Sequence, residues 1–87
     1  MEQSPIYVQI ISPEKILLEG YVDIIRFPGM QAPFAVLKDH VPLISALVTG
    51  CISYKGSVGE GSIPIHDGFV QIANNRIHAC VSQPRKD

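Results

Sequence analysis

Isoleucine and valine dominate this chain, and they constrain its fold more than any other feature. Twelve isoleucines and eight valines stand against five leucines and five alanines. β-Branched side chains lose χ1 freedom in helices and pack well on the pleated surface of a sheet. Seven glycines and seven prolines interrupt these residues at short intervals, as turns do between short strands. The sequence therefore predicts an all-β fold.

Alternation of apolar and polar residues divides the chain into about eight to ten short strands. The predicted strands are 6–11, 16–19, 21–27, 34–37, 43–48, 51–54, 62–66, 69–73 and 76–81. A single helical turn within 43–48 is an alternative. Turn signals every ~8–12 residues are typical of a sandwich or barrel. No stretch predicts a helix of three turns.

Several local features sharpen this prediction. Val22 and Ile24 fall on one face of their strand, which we assign to the core. Three glycines within 55–61 predict a mobile hairpin loop. Pro64 lacks an N–H and belongs on an edge strand or at a bulge. Asp67-Gly68 predicts a turn, and Asn74-Asn75 can adopt the positive φ of a tight hairpin.

Length and charge exclude several classes of protein. Eighty-seven residues make one domain at most. A charged fraction of 17% with a mean hydropathy of +0.20 excludes intrinsic disorder. A net charge of −1 excludes nucleic-acid binding through a basic surface. No apolar run approaches the ~20 residues of a membrane helix, and the first residues do not resemble a signal peptide. Two cysteines form no disulfide framework, which favours a cytosol-like compartment.

No group of residues predicts catalysis, a cofactor or a metal. Asp39-His40 and His66-Asp67 could each pair a base with a carboxylate, but adjacent strand residues point to opposite faces. His78 and Cys80 share a face and could bind zinc together with Cys51 and one more histidine. The alternative is a surface histidine and a small buried cysteine. The P-loop, zinc-ribbon and nucleophile-elbow motifs are absent from the sequence.

Two apolar features have both a structural and a functional interpretation. Met30 lies in a proline-flanked loop, where it is either one exposed turn residue or an adaptable contact for a partner. Leu43-Ile44 and Leu47-Val48 are apolar on both faces of a strand. Such a strand is either buried on both sides or covered on one side by a second protein. The residues alone therefore predict a small all-β binding or assembly module.

Four collinear segments resemble the epsilon subunit of F-type ATP synthases. Residues 34–50 are similar to the family pattern F-x-V-L-P-G-H-A-P-L-L-T-A-L-x-P-G. Residues 8–14 resemble its opening strand and turn, residues 20–29 its G-x-V-x-x-V-x-x-P-G, and residues 67–77 its G-G-F-x-E-V-x-x-N-x-V. The resemblance covers nearly the whole chain.

The resemblance implies a flattened β-sandwich of about ten short, mostly antiparallel strands over residues 1–83, followed by a flexible tail at 84–87. It implies a non-catalytic rotor subunit of the central stalk, which helps to couple proton or sodium flow to ATP synthesis. The implied partners are the gamma subunit and the c-ring. The implied location is the cytoplasmic face of a bacterial inner membrane or the equivalent organelle face, reached only through the complex.

By position, the resemblance also implies two contact sites. The residues at positions matching the gamma interface are Ser12, His40, Leu43 and Ser45. The residues at positions matching the c-ring contact loop are Gly29, Met30, Gln31, Ala32 and Pro33. The chain departs from the pattern where Lys38-Asp39 replaces Pro-Gly, where Asp67 replaces the first Gly, and where the contact loop carries no acid. Many relatives continue into a regulatory C-terminal helical hairpin, which we expect this chain to lack. The alternative function is a free-standing peptide- or ligand-binding sandwich.

Overall fold

Two β-sheets packed face to face make up the molecule. The computed structural model describes residues 3–84, and among them it contains nine strands and no helix. The strands are β1 (Ile6–Ile11), β2 (Ile16–Val22), β3 (Ile24–Phe27), β4 (Phe34–Val36), β5 (Leu43–Leu47), β6 (Gly50–Gly56), β7 (Gly59–Ile65), β8 (Asp67–Ala73) and β9 (Arg76–Ser82). Sheet A has the order β2-β1-β9-β8-β5, and sheet B has the order β4-β3-β6-β7. The predicted all-β sandwich is confirmed, with nine described strands in place of about ten.

Strict alternation along the strands builds the core between the sheets. In β9, every second residue from Ile77 to Val81 is buried, while Arg76, His78 and Cys80 face outward. The core consists almost entirely of β-branched and aromatic side chains, as the composition predicts. Its largest fully buried side chain is Phe27, which stacks on Phe34 with ring centroids 5.6 Å apart.

The chain crosses from sheet A to sheet B at Asp23, and this corrects one prediction. The predicted strand 21–27 is two strands, with a bend at Asp23 between β2 and β3. Since the bend resets the alternation, Val22 and Ile25 are both fully buried, whereas Ile24 is half-buried on the outer side. The assignment of Ile24 to the core was wrong because strict alternation holds only within one strand.

Two predictions made at glycines need correction. The predicted hairpin at 55–61 is present, but the ladder between β6 and β7 continues to the pair Gly56–Gly59, so its loop is only residues 57–58. Its tip is fastened to β2, because the Val58 N–H donates to the Tyr21 carbonyl at 3.0 Å. Asp67 and Gly68 begin β8 and pair with β9, so the chain turns one residue earlier, at His66.

The strand pairing places the first and the last strand side by side. β1 runs parallel to β9, and all other pairs are antiparallel. Pro64 lies on β7, an edge strand, as predicted. The β8–β9 turn has positive φ at Asn74 and Asn75, 53° and 59°, also as predicted. The expectation of a flexible tail at 84–87 falls mostly outside the described residues.

Candidate docking surface

One row of apolar side chains crosses the outer face of sheet A. Strand register aligns Ile16, Ile11, Cys80, Phe69 and Ala46 across all five strands. Phe69 is 64% exposed and Ile16 is 55% exposed. Five strands at ~4.8 Å spacing give the row a length of about 19 Å. We call this set the apolar row.

An open groove runs beside the apolar row. Its volume is about 540 Å³, and its lining is almost wholly apolar. Met30 and Phe69 line it, as does the turn after β1 at Ser12 and Pro13. Grooves of this size lined by exposed apolar side chains are features of contact surfaces.

Polar side chains occupy the next row along the same face. Register aligns Gln71, His78, Gln9 and Glu19 on four neighbouring strands. Beyond them, Tyr7 packs edge-on against Tyr21, and the Arg76 guanidinium lies 5.6 Å from the Tyr7 ring centre. The Tyr7 hydroxyl donates to Glu19, and this hydrogen bond raises the pKa of Tyr7 above its usual value. The apolar row therefore has a polar border, as interface cores do.

The four residues matched to the gamma interface do not form one cluster. Ser12 lies at the groove end of sheet A, where its hydroxyl bonds the Lys15 carbonyl at 3.2 Å. His40 lies at the opposite end, beside the β8–β9 turn. Leu43 and Ser45 lie on edge strand β5, where both are half-buried and face inward. His40, Leu43 and Ser45 lie on or next to β5, whereas Ser12 follows β1, which is three strands away in sheet A.

Apolar residues on and before β5 are largely exposed. Ile44 is 73% exposed and Val41 is 69% exposed. Leu47 is buried, so β5 is buried on one face and open on the other. An open outer face agrees with the alternative in which a second protein covers one face of this strand. The alternative of a helical turn within 43–48 was wrong, because Leu43–Leu47 is a strand.

The His40 loop is fixed by a clamp between Asp39 and Asn75. The Asp39 N–H donates to Asn75 Oδ1 at 2.6 Å, and Asn75 Nδ2 donates to Asp39 Oδ1 at 3.0 Å. Asp39 has φ 64°, a conformation that favours glycine. The pattern's glycine at this position is thus replaced by an aspartate whose side chain makes a compensating hydrogen bond.

The loop matched to the c-ring contact is held against β5. The Met30 N–H donates to the Ala46 carbonyl, and the Val48 N–H donates to the Pro28 carbonyl, both at 2.9 Å. Gly29 is buried, and a side chain there would meet the Ala32 carbonyl at 2.5 Å. Met30 is 63% exposed, while Gln31, Ala32 and Pro33 are exposed beyond it. The base of this loop is therefore fixed, and its exposed tip is apolar and uncharged.

The remaining candidate groups are dispersed. Cys51 lies on sheet B and Cys80 on sheet A, both exposed, so they cannot share a metal with His78. Within residues 3–84, no group of three or more His, Cys, Asp or Glu side chains could hold a metal ion. The same residues include no helix long and apolar enough to cross a bilayer.

Sequence reasoning missed Phe69 and Ile16 as surface residues. The signal for Phe69 was present, because it alternates with buried Val70 and Ile72 and shares a face with Gln71. An aromatic residue on the polar face of an amphipathic strand indicates a contact surface.

A small β-sandwich with an apolar row, a groove and a fixed loop tip has the form of an assembly module. Residues 5–83 match the family model "ATP synthase, Delta/Epsilon chain, beta-sandwich domain". The chain belongs to this family.

Sequence relatives and solved structures agree with this membership. The chain is 32% identical over 77 residues to the ATP synthase epsilon chain of Nitratidesulfovibrio vulgaris strain DP4, covering 88% of this chain and 57% of the relative. It is 37% identical over 70 residues to that of Anaeromyxobacter sp. strain K, covering 80% and 53%. The chain thus spans just over half the length of these relatives.

The fold itself occurs in two mitochondrial assemblies. A chain in the central stalk/c-ring structure of Tetrahymena thermophila ATP synthase matches with a TM-score of 0.77 at 16% identity, over 95% of this chain and 67% of that chain. A chain in the OSCP/F1/c-ring structure of Euglena gracilis ATP synthase matches with a TM-score of 0.82 at 15% identity, over 95% and 59%. At these identities the likeness concerns the fold.

Proposed function

We propose that this sandwich is the docking domain of a non-catalytic rotor subunit in an F-type ATP synthase. In this proposal it binds the gamma subunit along the β5 side of the molecule and the c-ring through the loop at 29–33. It thereby helps to couple ion flow to ATP synthesis, on the cytoplasmic face of a bacterial inner membrane or its organelle equivalent. Family membership and the ATP synthase assemblies in which the structural neighbours occur support the proposal.

The observation that carries the proposal is the continuous apolar surface around β5. Ile44 and Val41 are largely exposed, and the apolar row and the Met30 loop border the same strand. A monomeric domain gains nothing from exposing these side chains to water, whereas their burial by a partner is worth ~25 cal/mol per Å². Ser12 and His40 lie at the two ends and can supply polar anchors.

The test is co-expression with a cognate gamma subunit followed by size-exclusion chromatography. We expect a stable 1:1 complex, and we expect Ile44→Arg to disrupt it because a long charge would enter a desolvated contact. Ile44 is the better choice than half-buried Ser45, where an arginine would also disturb the packing against β8.

Gln71→Arg is the matched control. Gln71 is the cross-strand neighbour of Ile44 on β8 and is also exposed, but it lies in the polar row. Equal melting temperatures for both variants, with loss of the complex only for Ile44→Arg, would support the proposal. A wild-type chain that does not bind the gamma subunit would contradict the proposal and favour the free-standing binding module.

A further inference from the structure

His40 lies in a loop whose geometry determines which of its ring nitrogens faces a partner. The His40 N–H donates to the Leu37 carbonyl at 3.2 Å, which closes a four-residue turn over 37–40. Asp39 is the third residue of this turn and has φ 64°. Turns with a positive φ at the third position favour glycine or asparagine there. An aspartate holds this shape only with local support.

Asn75 provides that support from a different part of the chain. Its side-chain amide accepts from the Asp39 N–H and donates to the Asp39 carboxylate, so both ends of the amide are engaged. Its backbone carbonyl accepts from the Tyr7 N–H at 3.0 Å. Asn75 thus ties the turn before β5 to both the β8–β9 hairpin and the start of β1.

The imidazole of His40 makes its own contact with the loop. Its Nδ1 lies 2.7 Å from the Val41 carbonyl oxygen. A carbonyl oxygen can only accept, so Nδ1 must carry the hydrogen. In the neutral imidazole, Nε2 is then an acceptor. The ring borders a depression of about 340 Å³ together with Pro42 and Asn74, where a partner side chain could enter.

We propose that the Asp39–Asn75 clamp holds the His40 loop so that Nε2 is presented as a hydrogen-bond acceptor, and that the gamma group opposite it is a donor. The proposal rests on the proposed function for the identity of the partner. The clamp acts at a distance from the contact, so Asp39 and Asn75 are positioning residues. A preformed loop binds more tightly because less conformational entropy is lost on association.

The first measurement is the tautomer of His40 in the full 87-residue chain. Long-range ¹H–¹⁵N NMR distinguishes the ring nitrogen that carries a hydrogen from the one that does not. We expect the Nδ1–H form in the wild type. We expect Asp39→Gly, which keeps the turn but removes the carboxylate, to give a mixture of tautomers and faster amide exchange at His40. Asp39→Asn retains an Oδ1 acceptor and should preserve the wild-type pattern.

The second measurement is affinity for the gamma subunit. A glutamine amide can place an acceptor near the position of Nε2, whereas an asparagine amide reaches only the position of Nδ1. His40→Gln should therefore bind more tightly than His40→Asn, by the roughly 3- to 10-fold that one neutral hydrogen bond supplies. Asp39→Gly should lose affinity, and Asp39→Asn should restore it. The tautomer, rather than the melting temperature, separates a positioning role from a structural one, because glycine itself relaxes the positive φ at this position.

The two measurements separate the two proposals. An Nε2–H tautomer in the wild type, or a tautomer and exchange pattern that Asp39→Gly leaves unchanged, would overturn the inference whether or not gamma binds. Equal affinity of His40→Gln and His40→Asn would also overturn it. A wild-type chain with the expected tautomer but no affinity for gamma would instead contradict the proposed function and, with it, the assignment of the partner.

Discussion

Ile24 and Ile25 are chemically identical neighbours whose environments differ completely. Ile25 is fully buried between the sheets, whereas Ile24 is half-buried and lies on the outer side of sheet B with Arg26. The bend at Asp23 ends the inward–outward alternation of β2, and a new alternation begins in β3. A residue's environment therefore depends on the strand it belongs to as well as on its side chain.

Ile25→Asp should unfold the domain, because it places an unpaired carboxylate in the core at a cost of several kcal/mol. Ile24→Asp is the matched control and should leave a cooperative melting transition. Thermal unfolding followed by circular dichroism compares them. A normal transition for Ile25→Asp, or a collapse confined to Ile24→Asp, would contradict the inward direction of Ile25.

At the scale of elements, the β6–β7 hairpin is held by contacts outside its own ladder. Ser4 and Ser57 bond reciprocally, each N–H donating to the other's hydroxyl at 2.9 Å. A side chain at Gly56 would overlap the Val22 Cα, so glycine lets the hairpin approach β2 closely. These long-range contacts make an ordered element of a segment whose glycines alone indicate a loop.

Ser4→Ala should destabilise the fold by about 0.5–1.5 kcal/mol, because it removes the hydroxyl that accepts from the Ser57 N–H. Ser4 is the one buried polar residue in the described chain. Ser62→Ala, at an exposed position on β7, is the control and should change stability by less than about 0.5 kcal/mol. Urea denaturation measures both. Equal midpoints would show that the serine pair does not fasten the hairpin.

Most strands could be predicted from the sequence because their signals are local. Alternation predicted β1, β8 and β9 to within two residues at each end, and Asn74-Asn75 predicted the turn between β8 and β9. The crossing at Asp23 and the shortness of the β6–β7 turn could not be predicted, because both depend on contacts with distant strands. The exposed loop at Met30 was predictable from its prolines. The Asp39–Asn75 clamp joins residues 36 apart, and no spacing rule detects such a pair.

At the scale of the molecule, the proposed contacts differ in character. The β5 side combines apolar area with polar anchors, whereas the tip at 29–33 contains no charged residue. The base of this loop is nevertheless fixed, because the Met30 N–H donates to the Ala46 carbonyl on β5. An uncharged contact of this kind relies on shape and apolar burial rather than on attraction between charges.

If the loop at 29–33 is the c-ring contact, its binding should change little with salt. Raising the ionic strength from about 0.01 M to 1 M shortens the Debye length from about 30 Å to about 3 Å, which weakens exposed ion pairs. Retention of the chain on gamma–c-ring complexes across this range is the measurement. Gln31→Glu is the control that introduces a charge and should make retention salt-dependent. A steep salt dependence of the wild type would indicate that charged residues elsewhere make the contact.

The parallel pairing of β1 with β9 has a consequence for biosynthesis. β9 is the middle strand of sheet A, with β1 on one side and β8 on the other. When only β1 to β8 have emerged from the ribosome, sheet A consists of two separate pairs of strands, β2-β1 and β8-β5. The core between the two sheets is then still open. The domain can close only when Ser82 has left the ribosome, so sheet A cannot be completed strand by strand as the chain emerges.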